Sequence, residues 1–214
     1  MDMLVEPFAM SPSDRLPQSD HMSPIPQSPL VNHARHGFVI GLAGWSGSGK
    51  TTLAEKVIAA LCARNVDVAT VKHAHHRFDA DVPGKDSYRH RQAGAAQVMV
   101  SSELRSVLFR EHNGQGDRPL DDILADFHPC DLVLVEGYKR EPIPKIEVFR
   151  SANEQPPLFP DDEWIIGVAT DGDMPTPPGL SRQAPTKLDL NDAEAIADFI
   201  CGVAGIDVPE RTVA

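Results

Sequence analysis

The stretch "GFVIGLAGWSGSGKTT", from Gly37 to Thr52, decides the fold. Its first half is a short unbroken apolar run, the pattern of a strand buried on both faces of a parallel sheet. Its second half, "GWSGSGKT" (Gly44 to Thr51), satisfies every fixed position of G-x-x-x-x-G-K-[ST]. It also stands where that loop must stand, between an apolar strand and a helix. The helical pattern runs from Lys50 to about Arg64, with Leu53, Val57, Ile58 and Leu61 on one face. Gly44, Gly47 and Gly49, with Ser46 and Ser48 between them, let the backbone turn tightly, so that several N–H groups converge on phosphate. The start of the helix adds its partial positive charge. Lys50 is expected to reach the β- and γ-phosphates, Thr51 to ligate Mg²⁺, and Thr52 to donate to the α-phosphate. A Gly/Ser-rich turn can be only a turn, but the context on both sides makes this one a nucleoside triphosphate site.

Working outward, "VDVATVKH" reads as a second strand and "KDSYRHRQAGA" as a short helix. "AQVMVSS" and "LRSVLFRE" read as two strands close together. "PLDDILADF" (Pro119 to Phe127) reads as a helix with proline near its first turn. "CDLVLVEGY", "KIEVFR" and "WIIGVAT" are three further strands. In the last helix, "DAEAIADFI", Asn191 is the expected cap and Glu194 stands three residues on, at capping-box spacing. Strands alternating with helices make βαβ units, so the expected fold is α/β: a P-loop NTPase with a mostly parallel sheet and helices on both faces. The Pro-rich segments Ser151 to Asp162 and Gly172 to Pro185 read as loops. Residues 1–36, with six prolines and five serines, read as a disordered tail ahead of one domain over 37–214. A Pro-rich docking peptide is the alternative there.

A phosphate loop needs a second acid to position magnesium or its water. "DLVLVEG" supplies Glu136, four apolar residues after Asp131, where the strand leaves the sheet's carboxyl edge. The segment "TVKHAHHRFDADVPGKDSYRH" (Thr70 to His90) begins at the same edge and holds four of the nine histidines. On an extended strand end His73 and His75 point to one face and His76 to the other, so the three do not converge without a turn. No cysteine or fourth ligand lies at zinc spacing. His73 and His75 therefore read as a lining for the phosphate of a nucleotide or of a second ligand, or as part of a solvated polar loop.

Three blocks, "GWSGSGKTTL", "VKHAHHRFDADVPGKDSYRHRQAGA" and "DLVLVEGYKREPIPKIEVFR", together resemble the molybdopterin-guanine dinucleotide biosynthesis protein B (MobB-type) family, over about residues 37–203. The resemblance implies a small dimeric GTP-binding protein with weak GTPase activity and Mg²⁺ as its metal. It also implies a partner, the MobA-type guanylyltransferase that joins GMP to molybdopterin, and the fold class of signal-recognition GTPases and dethiobiotin synthetase. "DSYR" is similar to the nucleotide-sensing switch of the signal-recognition GTPases. By that likeness Asp86 would hold the magnesium shell or attacking water, and Arg89 would sense the γ-phosphate. The metal set expected is thus Thr51, Asp86 and Glu136. Guanine is expected to be read by Asp171, at the end of the strand "VATD"; "TKLD" spells a base-reading pattern ending in Asp189 but runs almost directly into the last helix.

The charge of −11 and pI near 5.2 argue against an electrostatic grip on nucleic acid or an anionic membrane. The chain lacks an 18-residue apolar run, and its first residues lack a basic start and apolar stretch, so a cytoplasmic protein is expected. Cys62, Cys130 and Cys201 are widely spaced, which fits a reducing compartment. Two other functions compete. A nickel-delivery chaperone would carry a CxH or CPC-type motif, which is absent; a small-molecule P-loop kinase would need an acceptor base and an Arg-bearing lid.

Overall fold

The computed structural model describes residues 32–33, 36–74, 78–112, 114, 116–176 and 182–207. Strands β1 (Asn32–His33), β2 (Gly37–Ala43), β3 (Val68–Lys72), β6 (Leu132–Glu136), β7 (Lys145–Phe149), β8 (Ile165–Thr170) and β9 (Thr186–Asp189) form one sheet. Its order is β3-β6-β2-β7-β8-β9, all parallel, with β1 antiparallel to the start of β2. A separate hairpin pairs β4 (Gln97–Ser101) with β5 (Ser106–Arg110). The helices are α1 (Lys50–Cys62), α2 (Asp86–Gln92), α3 (Leu120–Leu124) and α4 (Ala193–Ala204).

The period of two in the central strands builds both layers. Phe38, Ile40 and Leu42 of β2, with Leu132 and Leu134 of β6, pack with Leu53, Val57 and Leu61 of α1 and Ile196 and Ile200 of α4. The alternate residues Val39, Val133 and Val135 pack with Leu120 and Leu124 of α3. Helices thus cover both faces of a parallel sheet, as the sequence pattern requires. Arg64 fastens the end of α1 to α4 through Glu194 at 2.8 Å and Asp198 at 2.7 Å.

Four local readings change. The Asn191 cap is one residue early: Asp189 draws the Asn191 N–H into a turn at 2.8 Å, and Asp192 caps α4 by accepting from the Ala195 N–H at 2.9 Å. The helix expected over Pro119 to Phe127 is shorter, because its last part closes into tight turns, Asp126 N–H to Ile123 O and Phe127 N–H to Leu124 O. "TKLD" is an edge strand, β9, in register with β8. The Pro-rich segment Ser151 to Asp162 holds two single-turn 3₁₀ helices, Ser151–Asn153 and Phe159–Asp161. The paired residues Asn32 and His33 fall within the segment read from sequence as tail.

Candidate functional site

The parallel sheet brings the carboxyl ends of β2, β3, β6, β7, β8 and β9 to one edge, where open α/β folds hold their ligands. The loop Gly44 to Gly49 leaves β2 there and enters α1. Gly44 has φ +138°, and a Cβ on it would lie 2.6 Å from the Val148 carbonyl oxygen, so the loop can lie this close to β7 only with glycine. Ser46 is exposed at the tip. Ser48 is buried beneath the loop, and its hydroxyl makes no hydrogen bond among the described residues. The Lys50 ammonium curls back to donate to the carbonyls of Gly44 at 2.9 Å and Trp45 at 2.7 Å. Burial holds Lys50 below the ordinary lysine pKa; Glu136 pulls the other way, and the charges of Lys72 and Lys139 add to the lowering. Thr51 and Thr52 stand exposed on the first turn of α1.

Glu136 meets the loop as the strand position requires. The Thr51 hydroxyl donates to its Oε1 at 2.9 Å, and the Lys72 ammonium lies 2.7 Å from the same oxygen. Two hard oxygens so placed suit Mg²⁺, which keeps several waters and takes one or two protein ligands. No hydrogen bond or ion pair among the described residues links Asp86 to either; it sits exposed on α2, 3.7 Å from Arg89, one turn on. The switch roles of Asp86 and Arg89 therefore stand on the "DSYR" resemblance alone.

His73 follows β3. Its N–H donates to the Glu136 carbonyl at 2.8 Å, its Nε2 lies 3.3 Å from Asp117, and its ring lies 4.7 Å from that of Tyr138. His75 lies outside the described residues. Among the described residues no three His, Cys, Asp or Glu side chains group as a metal site.

On the other flank, Asp171 directly follows β8 and lies 3.5 Å from Arg150, which directly follows β7. The Arg150 guanidinium lies 3.6 to 3.9 Å from where a Gly49 Cβ would be, directly beside the start of α1. Its Nε is buried with no hydrogen-bond partner among the described residues. Asp189 ends β9, one strand further from the loop. Trp45 is pinned by its indole N–H to the Pro156 carbonyl at 2.8 Å, with the Lys139 ammonium 5.3 Å above its ring.

Lys50, Lys72, Lys139 and Arg150 thus gather around one loop of a chain whose net charge is −11. Such a local reversal of sign favours an anionic ligand. Sequence reasoning missed Lys72 and Arg150 as site residues. Both were findable as the last or next residue of a strand at the ligand edge.

Fold and site together define a protein of the P-loop NTPase-like class. The sequence profile described as molybdopterin guanine dinucleotide synthesis protein B matches residues 39–171, and the chain belongs to that family. It is 42% identical over 165 residues to a molybdopterin-guanine dinucleotide biosynthesis adapter protein of Escherichia coli, spanning 76% of this chain and 90% of that one. It is 43% identical over 166 residues to the protein of the same name from Haemophilus influenzae, spanning 76% and 86%. Among solved structures, a MobB protein homolog from Bacillus stearothermophilus superposes with a TM-score of 0.56 at 26% identity, covering 79% of this chain and 99% of that one. A second, described as molybdopterin-guanine biosynthesis protein B, shares the fold with a TM-score of 0.59 at 24% identity, covering 78% and 99%.

Proposed function

We propose that this chain is a GTP-binding adapter in molybdopterin guanine dinucleotide formation, assisting the guanylyltransferase that attaches GMP to molybdopterin. The observation that carries the reading is the meeting of the phosphate loop, Lys50 and the Thr51–Glu136 pair at the ligand edge of a sheet belonging to this family. Its relatives in Escherichia coli and Haemophilus influenzae bear the adapter name over most of their length, which supports the same pathway here.

Each side chain then has a task. The backbone amides of the loop and the start of α1 hold phosphate oxygens, and Lys50 leaves the Gly44 and Trp45 carbonyls to pair with them. Thr51 and Glu136 would hold Mg²⁺, which when bound neutralises charge on the β- and γ-oxygens. Glu136 fixes the Thr51 hydroxyl by accepting its proton in a hydrogen bond. Slow hydrolysis fits a site where Asp86 and Arg89 must come in from α2 to complete it. The exposed Met99, Val100, Val107 and Leu108 of the hairpin favour a homodimer, since that much apolar surface on one element marks an interface.

The test is a pull-down from lysate on the untagged chain with molybdopterin and Mg-GTP present. A MobA-type guanylyltransferase should be retained with molybdopterin and lost without it. Retention of unrelated proteins only would defeat the proposal.

Two predictions concern roles inside the site. Asp86→Ala should lower the GTPase rate about tenfold or more while GTP affinity moves by less than about threefold, because amides and Lys50 do the holding. Single-turnover hydrolysis beside calorimetry separates the two, and equal losses would remove Asp86 from the switch. Asp171→Asn should cut the preference for GTP over ATP by about tenfold or more, the worth of a hydrogen bond to a charged group. Asp189 already spends one oxygen on the Asn191 N–H, so Asp189→Asn should leave the preference intact. Competition binding reads both, and the reverse result would make Asp189 the reader.

A further inference from the structure

Resting on the Mg-GTP reading above, we propose that Lys72 is a built-in competitor for the magnesium position, an ammonium that must leave the Thr51–Glu136 oxygens for the metal to bind. In the β3–β6 ladder Lys72 is the register partner of Glu136, and β6 lies beside β2, whose loop supplies Thr51. The sheet therefore delivers the ammonium to this corner. Its Nζ lies 2.7 Å from Glu136 Oε1 and 3.2 Å from Thr51 Oγ1, while those two oxygens are 2.9 Å apart. The three atoms form a closed triangle.

A magnesium ion on the same two oxygens would sit about 2.0–2.1 Å from each. An ammonium bonded to both would then lie against a divalent cation, an arrangement that like-charge repulsion forbids. One cation or the other occupies the corner. Lys72 is suited to yield, because its side chain is 60% exposed and its long stem can swing to solvent or towards phosphate. Its charge also bears on Lys50, so the lysine that yields is already sensed by the lysine that grips. The expected consequence is a raised magnesium requirement for nucleotide loading. The next residue, His73, donates its N–H to the Glu136 carbonyl, so the exchange takes place at the start of the histidine-rich segment.

The experiment titrates Mg²⁺ against GTP binding by calorimetry for the full chain, Lys72→Met and Lys72→Arg. Removing the competitor should lower the half-saturating Mg²⁺ concentration about fivefold in Lys72→Met, the scale of one exposed ion pair. Lys72→Arg keeps the charge and should stay within about twofold of the wild type. Equal weakening of GTP at every Mg²⁺ concentration in Lys72→Met, with an unmoved midpoint, would make Lys72 a phosphate ligand and overturn the proposal. A lower melting temperature with no change in the titration would make it a strand-to-strand tie and overturn it equally. A wild-type chain that binds no GTP at any Mg²⁺ concentration defeats the nucleotide reading itself, and that result is visible before any variant is compared.

Discussion

Lys50→Ala should weaken GTP binding by roughly a hundredfold to ten-thousandfold, taking about 1.5–3 kcal/mol for each of two charge-assisted contacts to phosphate. The fold should survive. Lys50 belongs to none of the apolar clusters, and the two carbonyls it touches, Gly44 and Trp45, lie on a loop that stays open to water. Those hydrogen bonds do mean that the lysine helps shape the loop, so a local cost of about 1 kcal/mol is expected in thermal melting. Burial and the neighbouring charges of Lys72 and Lys139 make the ammonium less comfortable than a free one, against the pull of Glu136. Phosphate would relieve that discomfort. Calorimetry with GTP and Mg²⁺ measures the outcome, and an unchanged affinity would move the nucleotide site away from this loop.

The parts of the molecule that could be read from sequence are those where one chemical demand fixes several residues at once. A phosphate loop needs glycines, a lysine and a hydroxyl at set spacings, and strands buried on both faces need continuous apolar runs, so β2, α1 and β6 were legible together. Glu136 could be placed beside the loop because its strand ends at the sheet's carboxyl edge, and it does meet Thr51. Edge elements resist such reading. Thr186 to Asp189 shows little apolar character because β9 covers only one side of β8, and only Leu188 of its four residues is buried.

Cross-strand partners are hidden for a related reason. Lys72 and Glu136 are 64 residues apart, and only the β3–β6 register brings them to 2.7 Å. Arg150 looks like an ordinary strand-end charge until β7 is seen to pass beneath Gly44 and to leave the guanidinium against Gly49. Cap chemistry is decided by a single residue of register. The helix starts at Ala193, so Asp192 is the residue placed to accept from the Ala195 N–H, while Asn191 lies in the preceding turn that Asp189 closes.

Gly137→Ala should be strongly damaging to the corner beside the site, costing about 2–6 kcal/mol of stability. Two independent penalties add. Gly137 has φ +104°, a conformation worth about 1–3 kcal/mol of strain for any residue with a Cβ. That Cβ would also lie 2.5 Å from the Cβ of His73, and overpacking of this kind costs about 1–3 kcal/mol. Neither partner can move freely. His73 is held by its N–H to the Glu136 carbonyl and flanked by Asp117 and the Tyr138 ring, while Tyr138 donates its hydroxyl proton to the Arg118 carbonyl at 3.0 Å. Relief therefore comes by parting the ends of β3 and β6, which carry Lys72 and Glu136. At about 2–4 °C per kcal/mol for a domain of this size, the melting temperature should fall by roughly 4–24 °C. GTP binding at limiting Mg²⁺ should weaken as well, since the Thr51–Glu136 pair is displaced. Gly172→Ala is the control: among the described residues no atom beyond its chain neighbours lies within 4 Å of the added methyl, and its melting temperature should match the wild type. If Gly137→Ala melts with the control, the β3–β6 corner is soft, and neither His73 nor Glu136 is held as tightly as their contacts require.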